Sequence, residues 1–261
     1  MKVIKGVANS VFAAQDYCPM KTITFAHDNL FDSVQIYLNE QWEQGYVESI
    51  GAALRTFYLK PVLHWPGVFS PQQSENKTLL RLSRAFFGEK EGEPIVLHFD
   101  GSQDVSKTVA ALNKVASRGF LPALENTVGV SAEKESRKYI ERYVAALVKA
   151  ERACAVIDIP RLWCVNNGPV KEALTRLAFI AGGLSSLTEP AILHLIDVKD
   201  EKQERGDWSA LGEGIIPWED VGDTLNAAGI KVAHAILEYE EAELASGSLP
   251  FLERWCAAHL E

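Results

Sequence analysis

The sequence predicts an α/β fold, a single (β/α)8 TIM barrel with its active site at the C-terminal ends of the strands. Three observations support this prediction. The chain has 261 residues, close to the usual size of one such barrel. Strand-like and helix-like segments alternate along it, as repeated βα units do. Six short apolar runs each end in a side chain that can bind a metal. Residues 1–261 are therefore expected to form one domain.

The eight predicted strands are short runs rich in apolar residues. The first two are residues 2–8 (KVIKGVA) and 33–38 (SVQIYL). A parallel barrel gathers its strand ends at one face, so the metal-binding endings of the other six predict one site. Those six runs are residues 61–64 (PVLH), 94–98 (PIVLH), 120–125 (FLPALE), 154–158 (CAVID), 190–194 (PAILH) and 231–238 (KVAHAILE).

Helical periodicity separates most of these strands, because apolar residues recur there at helical spacing. Ser106 is expected to cap the third predicted helix, and Gly182 and Gly183 are expected to close the fifth. No helix is predicted between the first two strands. The predicted helices are residues 46–59, 77–87, 107–117, 132–153, 169–181, 219–228 and 250–259.

Strand parity describes the interior beneath the site. Side chains alternate across a strand, so the residue two positions before each ligand also faces the barrel axis. Apolar residues of small or branched shape are the expected filling there. His234, deeper in the last strand, is predicted to be a packed, hydrogen-bonded core residue. The predicted interior positions are Val62, Val96, Ala123, Val156, Ile192 and Ile236.

Composition and charge restrict the partners. With 47% hydrophobic and 23% charged residues, the chain matches an ordinary globular protein. Its formal net charge of −9 offers no general attraction for nucleic acid, so a small-molecule substrate is favoured and a nucleic acid disfavoured. No apolar run approaches the roughly 18 residues of a membrane span, and no signal core is seen, so a cytoplasmic location without membrane association is expected. Homo-oligomer formation is left open.

The ligand types suit a divalent metal. Three carboxylates and one imidazole form an oxygen-rich core that fits Mn²⁺, Mg²⁺, Co²⁺ or Zn²⁺. His64 and His98 would add a nitrogen-rich pole and room for a second ion. One ion suits carbonyl polarisation and proton transfer, whereas two suit displacement at phosphorus. One or two ions per chain are therefore predicted. The core ligands are Glu125, Asp158, His194 and Glu238.

Three segments resemble the xylose isomerase-like TIM barrel superfamily, which includes sugar isomerases and epimerases and the endonuclease IV group (AP endonuclease family 2). ALENTVG at 123–129 is similar to the fifth-strand signature of endonuclease IV. LHLIDVKD at 193–200 and LGEGIIPW at 211–218 resemble the seventh-strand region of both branches. The resemblance implies that the four core ligands form a shared metal centre.

The two branches imply different roles for the same positions. In epimerase relatives, the residues matching Glu125 and Glu238 are also the catalytic acid and base on opposite faces of the sugar carbon. His64 and His98 match ligands of another zinc in the endonuclease branch, although histidines also occur there in isomerase-like members. Arg161 stands where that branch has a histidine, and residues 207–209 (DWS) lack the histidine of its Asp-x-His pair. A trinuclear phosphodiesterase is therefore disfavoured.

Four residues are candidates for substrate contact. Arg161 either holds a phosphate or carboxylate by two parallel hydrogen bonds or pairs with Asp158. Trp65, directly after His64, either lines a pocket or packs at the barrel rim. Arg205 and Asp207 belong to the polar stretch 197–214, where Arg205 could help to bind an anionic group and Asp207 could keep a partial third-metal role or be solvated.

The leading hypothesis is a divalent-metal-dependent isomerase or epimerase of a sugar, a sugar phosphate or a related polyhydroxylated metabolite. One alternative is an endonuclease IV-like phosphodiesterase acting at abasic sites, with an incomplete third zinc site. Another is a barrel that binds a ligand without turnover, or that performs a lyase or oxidase reaction. Barrels of this type host many reactions, so the fold alone does not choose among them.

Overall fold

The computed structural model describes residues 2–99, 101–126, 133–163, 170–200 and 208–261, with the backbone alone for 133–136. Its barrel strands are β1 (Ile4–Ala8), β2 (Ser33–Tyr37), β3 (Lys60–Val68), β4 (Pro94–His98), β5 (Leu121–Glu125), β6 (Cys154–Asp158), β7 (Ala191–Leu195) and β10 (Val232–Leu237). They close in the order β1-β10-β7-β6-β5-β4-β3-β2, and every neighbouring pair is parallel. The predicted (β/α)8 barrel is confirmed.

Helices alternate with the strands. A short antiparallel pair, β8 (Asp197–Val198) and β9 (Trp208–Ser209), follows β7. Within the described residues, 3₁₀ turns span Asn9–Gln15 and Val170–Glu172. The helices are α1 (Pro19–Asp28), α2 (Gln44–Thr56), α3 (Pro71–Ser74), α4 (Lys77–Phe87), α5 (Val105–Ala116), α6 (Glu133–Lys149), α7 (Ile159–Trp163), α8 (Ala173–Leu184), α9 (Trp218–Ala227) and α10 (Ala242–His259).

Several helix ends differ from the sequence prediction. Asp104, not Ser106, caps α5, because its side chain accepts a hydrogen bond from the Ser106 backbone N–H. Helix α8 continues through Gly182 and Gly183, so these glycines do not close it. Helix α10 begins well before Pro250, which lies inside it. The missing backbone N–H of a proline weakens a helix, but tertiary packing can offset that loss.

The interior of the barrel confirms the parity prediction. The six predicted positions belong to one buried apolar cluster, separate from the larger core between the barrel and its helices. Gly6 of β1 lies in this narrow space, where a Cβ atom would come within 2.4 Å of Ile236 Cδ1. His234 is buried beside the cluster, with Nδ1 3.3 Å from Ser33 Oγ. The ligands therefore stand above a filled apolar floor.

In the described ranges, no helix combines the length and the apolar character needed to cross a bilayer.

Candidate metal centre

The parallel register places two pairs of predicted ligands opposite each other at the C-terminal ends of the strands. His98 of β4 is opposite Glu125 of β5, and Asp158 of β6 is opposite His194 of β7. The side chains of Glu125, Asp158 and His194 are buried, whereas His98 is partly exposed. Burial of so many ionisable groups is costly unless they are paired or bind a metal. Their convergence at the strand ends therefore marks a site.

Glu125 lies at the centre of this site. Its Oε2 atom is 3.3 Å from His64 Nε2, 3.4 Å from His98 Nε2 and 3.6 Å from His194 Nδ1. Burial alone would raise the pKa of Glu125, but the charge of His194 and the hydrogen bond from His98 hold it well below its usual range. Glu125 is therefore an ionised carboxylate at neutral pH.

Two overlapping triads have ligand atoms close enough to share an ion. His64, His98 and Glu125 form one, and Glu125, Asp158 and His194 form the other, with the atoms of each within 4.8 Å of one another. Glu238 adjoins the second triad, because its Oε2 atom is 3.2 Å from His194 Nδ1. The structure thus brings all six predicted ligands together, and Glu125 belongs to both triads.

Two residues of β2 complete the site and were missed by the sequence analysis. Gln35 Nε2 donates to Glu238 Oε1 at 2.5 Å, and Tyr37 Oη donates to the same oxygen at 2.7 Å. Gln35 Oε1 lies 2.9 Å from His194 Nε2. A signal was present, because a glutamine inside the predicted strand SVQIY shares its parity with Tyr37. Both residues position Glu238.

Asp158 and Arg161 form an ion pair at the mouth of the site. The Arg161 backbone N–H donates to Asp158 Oδ1 at 3.1 Å, and Arg161 Nε donates to Oδ2 at 3.0 Å. Burial raises the pKa of Asp158 to about 7, although Arg161 acts in the opposite direction. Asn126 ties β5 to β6 by accepting from the Asp158 N–H at 2.7 Å. Of the two predicted alternatives, the structure shows pairing with Asp158.

The donor set fits a metal ion. His194 Nδ1 is buried without a hydrogen-bond partner, although it lies 3.2 Å from Glu238 Oε2 and 3.6 Å from Glu125 Oε2. A nitrogen and two carboxylate oxygens that converge in this way without hydrogen-bond geometry are suited to a divalent cation. Burial lowers the pKa of His194, but Glu238 and Glu125 raise it to about 9 overall. An ion bound here would take the place of that proton.

Trp65 does not belong to this site. It follows His64 in β3, so strand parity turns its side chain toward the helices. The indole is fully buried and donates from Nε1 to Ser83 Oγ of α4 at 2.9 Å. Of the two predicted alternatives, packing is therefore what the structure shows. Arg205 and Asp207 lie outside the described residues, and their predicted roles stay predictions.

Asp197 anchors the loop that follows β7. Its carboxylate is fully buried and accepts hydrogen bonds from the backbone N–H groups of Val198, Gly212, Gly214 and Ile216. The Trp218 indole also donates to it, at 2.8 Å. Gly214 has no room for a side chain, since a Cβ atom would lie 2.2 Å from Asp197 Oδ1. The segment LGEGIIPW is thus folded around one carboxylate.

Comparisons with known proteins place the fold. No family model and no curated protein sequence matches the chain. A structure of the "IOLI protein with a binding zinc atom" is 13% identical over 100% of both chains, with a TM-score of 0.68. D-allulose 3-epimerase from Methylomonas sp. is 14% identical over 97% of this chain and 98% of its own, with a TM-score of 0.62. An AP endonuclease, family 2, from Brucella melitensis is 12% identical over 99% and 100%, with a TM-score of 0.61.

The structural neighbours include a xylose isomerase domain protein, sugar 3-epimerases and an AP endonuclease family 2 protein. The predicted resemblance is therefore confirmed at the level of the fold. Sequence identities this low show the fold alone, and function has to be argued from the site.

Proposed function

We propose that this chain is a divalent-metal-dependent isomerase or epimerase of a sugar or a related polyhydroxylated metabolite. The observation that carries the proposal is the convergence of Glu125 and Glu238. Their Oε2 atoms approach His194 Nδ1 at 3.6 Å and 3.2 Å, and they come from β5 and from the end of β10, with two strands between them. Two carboxylates around one metal-binding position suit proton transfer on both sides of a bound carbon.

The core ligands Glu125, Asp158, His194 and Glu238 would hold the ion. When bound, it would polarise substrate oxygens and make the neighbouring C–H group more acidic. His98 helps to keep Glu125 ionised, and Gln35 and Tyr37 hold Glu238 through Oε1. One carboxylate then accepts the proton from the substrate carbon, and the other returns a proton to it.

Charge balance favours one ion. Glu125, Asp158 and Glu238 carry three negative charges when ionised, and Arg161 pairs with Asp158 at 3.0 Å. The remaining two negative charges equal the charge of one divalent ion. His98 then contacts Glu125 as a hydrogen-bond donor rather than as a ligand. Arg161 remains a candidate contact for an anionic substrate group, since its side chain is 47% exposed.

Solvent exchange tests this function directly. Protein freed of metal by chelation and reloaded with Mn²⁺, Co²⁺, Mg²⁺ or Zn²⁺ would be incubated with a panel of ketoses in heavy water. We expect metal-dependent deuterium incorporation next to the carbonyl group, detected by NMR. Glu125→Gln and Glu238→Gln should each slow it at least about 100-fold, because general acid–base catalysis contributes that much.

The control for these variants is Ser33→Ala. Ser33 faces the interior from the same strand as Gln35 but contacts His234, beneath the site. The Ser33→Ala variant should incorporate deuterium into the sugar at the wild-type rate. If no sugar exchanges with the metal-loaded wild-type protein, the proposed activity is wrong.

A phosphodiesterase is the second candidate, favoured by the triad of His64, His98 and Glu125. Two ions sharing Glu125 would suit displacement at phosphorus. Metal analysis should then find two ions per chain, and the loaded protein should cut an abasic duplex in a reaction lost in Glu125→Gln. One ion per chain together with an intact duplex would contradict this candidate.

A further inference from the structure

Gln35 connects a ligand from β7 with the carboxylate that directly follows β10. Its side chain is fully buried. The amide nitrogen donates to Glu238 Oε1 at 2.5 Å, and the amide oxygen lies 2.9 Å from His194 Nε2. One side chain therefore contacts two members of the proposed metal core at once.

The chemistry of Glu238 determines which way this amide points. An ionised carboxylate only accepts hydrogen bonds, so the NH₂ group of Gln35 must face it. The carbonyl oxygen of Gln35 then faces His194. Because that oxygen only accepts, His194 Nε2 must carry a proton and donate it. The proton-bearing nitrogen of His194 is thus determined by a carboxylate that does not touch Nε2.

We propose that Gln35 is a positioning residue that holds His194 with its proton on Nε2, so that Nδ1 offers its lone pair to the metal. This inference rests on the proposed metal-dependent function. Nδ1 is the atom that faces Glu125 and Glu238 and has no hydrogen-bond partner. Hydrogen bonds from the second ring nitrogen commonly orient histidine ligands in this way. Here the same amide also directs Glu238 Oε2 toward the ion.

The test uses zinc affinity and histidine NMR, neither of which requires the enzyme reaction. In zinc-loaded wild-type protein, we expect the ¹⁵N spectrum of His194 to show a protonated Nε2 that couples to both ring carbon protons. Gln35→Met keeps the length of the side chain and removes both hydrogen bonds. It should weaken zinc binding about 10–100-fold, measured by competition with a coloured chelator. In the Gln35→Met variant, the Nε2 proton of His194 should also exchange rapidly with solvent.

Two further variants separate positioning from general disruption. Gln35→Glu keeps an acceptor for His194 but loses the donor to Glu238, so its zinc affinity should stay nearer to wild type than that of Gln35→Met. Ser33→Ala alters the same strand and face without touching the site, and it should bind zinc as the wild type does. Near-ultraviolet circular dichroism would show that each variant is folded.

The outcomes distinguish this inference from the proposed function. Zinc affinity that depends on Gln35 without any sugar exchange would support the inference and refute the isomerase. Sugar exchange with unchanged zinc affinity in Gln35→Met would refute the inference alone. A metal-loaded His194 protonated on Nδ1 would refute it as well. A wild-type protein that binds no zinc would overturn both.

Discussion

At the scale of single residues, the two histidines beside Glu125 differ in electrostatic behaviour. Burial lowers the pKa of His64, whereas Glu125 and Glu238 raise the pKa of the less buried His98 despite its own burial. His64 Nδ1 lies 2.9 Å from the Trp65 carbonyl oxygen, so Nδ1 carries a proton and donates it to that oxygen. Because the ring is neutral, Nε2 has no proton and directs its lone pair toward Glu125. His64 is therefore the better prepared of the two to bind a second ion.

His234 gives a residue-scale prediction on pH. Burial lowers the pKa of His234 to about 4, with a smaller effect from Lys60. The unfolded chain, with an ordinary histidine pKa near 6.5, thus binds more protons between these values. The contribution of neutral, buried His234 to stability is fully present above the unfolded-state pKa and is lost as the pH falls toward 4. Between pH 7 and pH 5, the free energy of unfolding of the metal-free protein, measured with urea, should fall by about 2 kcal/mol more than that of the His234→Gln variant.

The comparison with His234→Gln removes the contributions of other titrating groups, since both proteins share them. Equal losses in the two proteins would mean that His234 is protonated in the folded state, contrary to its burial against Ser33.

Individual ligands could be predicted from the sequence because each ends an apolar run. The partners of these ligands could not be predicted as easily. Gln35 lies within β2, and Tyr37 is the last residue of that strand. Their importance depends on contacts with β7 and the end of β10, which are distant in sequence. Asp197 lies in a polar stretch of the sequence, yet it is buried because the chain returns to it at Gly212 and Gly214. Closure of a loop on one carboxylate has no local sequence pattern.

At the scale of elements, strands were easier to predict than helix ends. Strand β4 and strand β6 match their predicted bounds, as does helix α4, which shows a clear apolar stripe. Strand β3 runs past its ligand to Val68, because a register shift lets Val68 pair with His98. Caps and bulges of this kind depend on neighbouring segments, so periodicity alone does not define them.

The loop after β7 gives a prediction at this scale. Asp197→Asn replaces a carboxylate oxygen by an NH₂ group that would oppose the backbone N–H groups and the Trp218 indole now donating to it. We expect the free energy of unfolding to fall by about 2–4 kcal/mol, because charge-assisted hydrogen bonds are lost and buried donors are left unpaired. Urea unfolding monitored by tryptophan fluorescence would measure it.

Glu213 offers a matched control in the same loop. It is exposed, so Glu213→Gln should change the stability by less than about 0.5 kcal/mol. Similar losses of unfolding free energy in the two variants would show that the stability of the loop does not depend on the Asp197 carboxylate.

At the scale of the whole molecule, the proposed ion would join distant parts of the barrel. Its ligands come from β5, β6 and β7 and from the end of β10, which are neighbours around the closed sheet. The unfolded chain does not hold these groups together, so binding is expected to favour the folded barrel. Without the ion, three carboxylates share a buried space, where Arg161 and the histidines offset part of their charge.

Thermal unfolding with increasing metal should therefore show a concentration-dependent rise in Tm. At a free metal concentration 100 times Kd, the stabilisation is about 2.7 kcal/mol, and a chain of this size gains about 2–4 °C per kcal/mol. A rise of about 5–10 °C is thus expected, with saturation at one ion per chain if charge balance governs the site. Glu125→Gln should abolish most of the rise, because Glu125 belongs to both triads. Ser33→Ala should retain it, and an equal rise in Glu125→Gln would place the stabilising ion elsewhere on the protein.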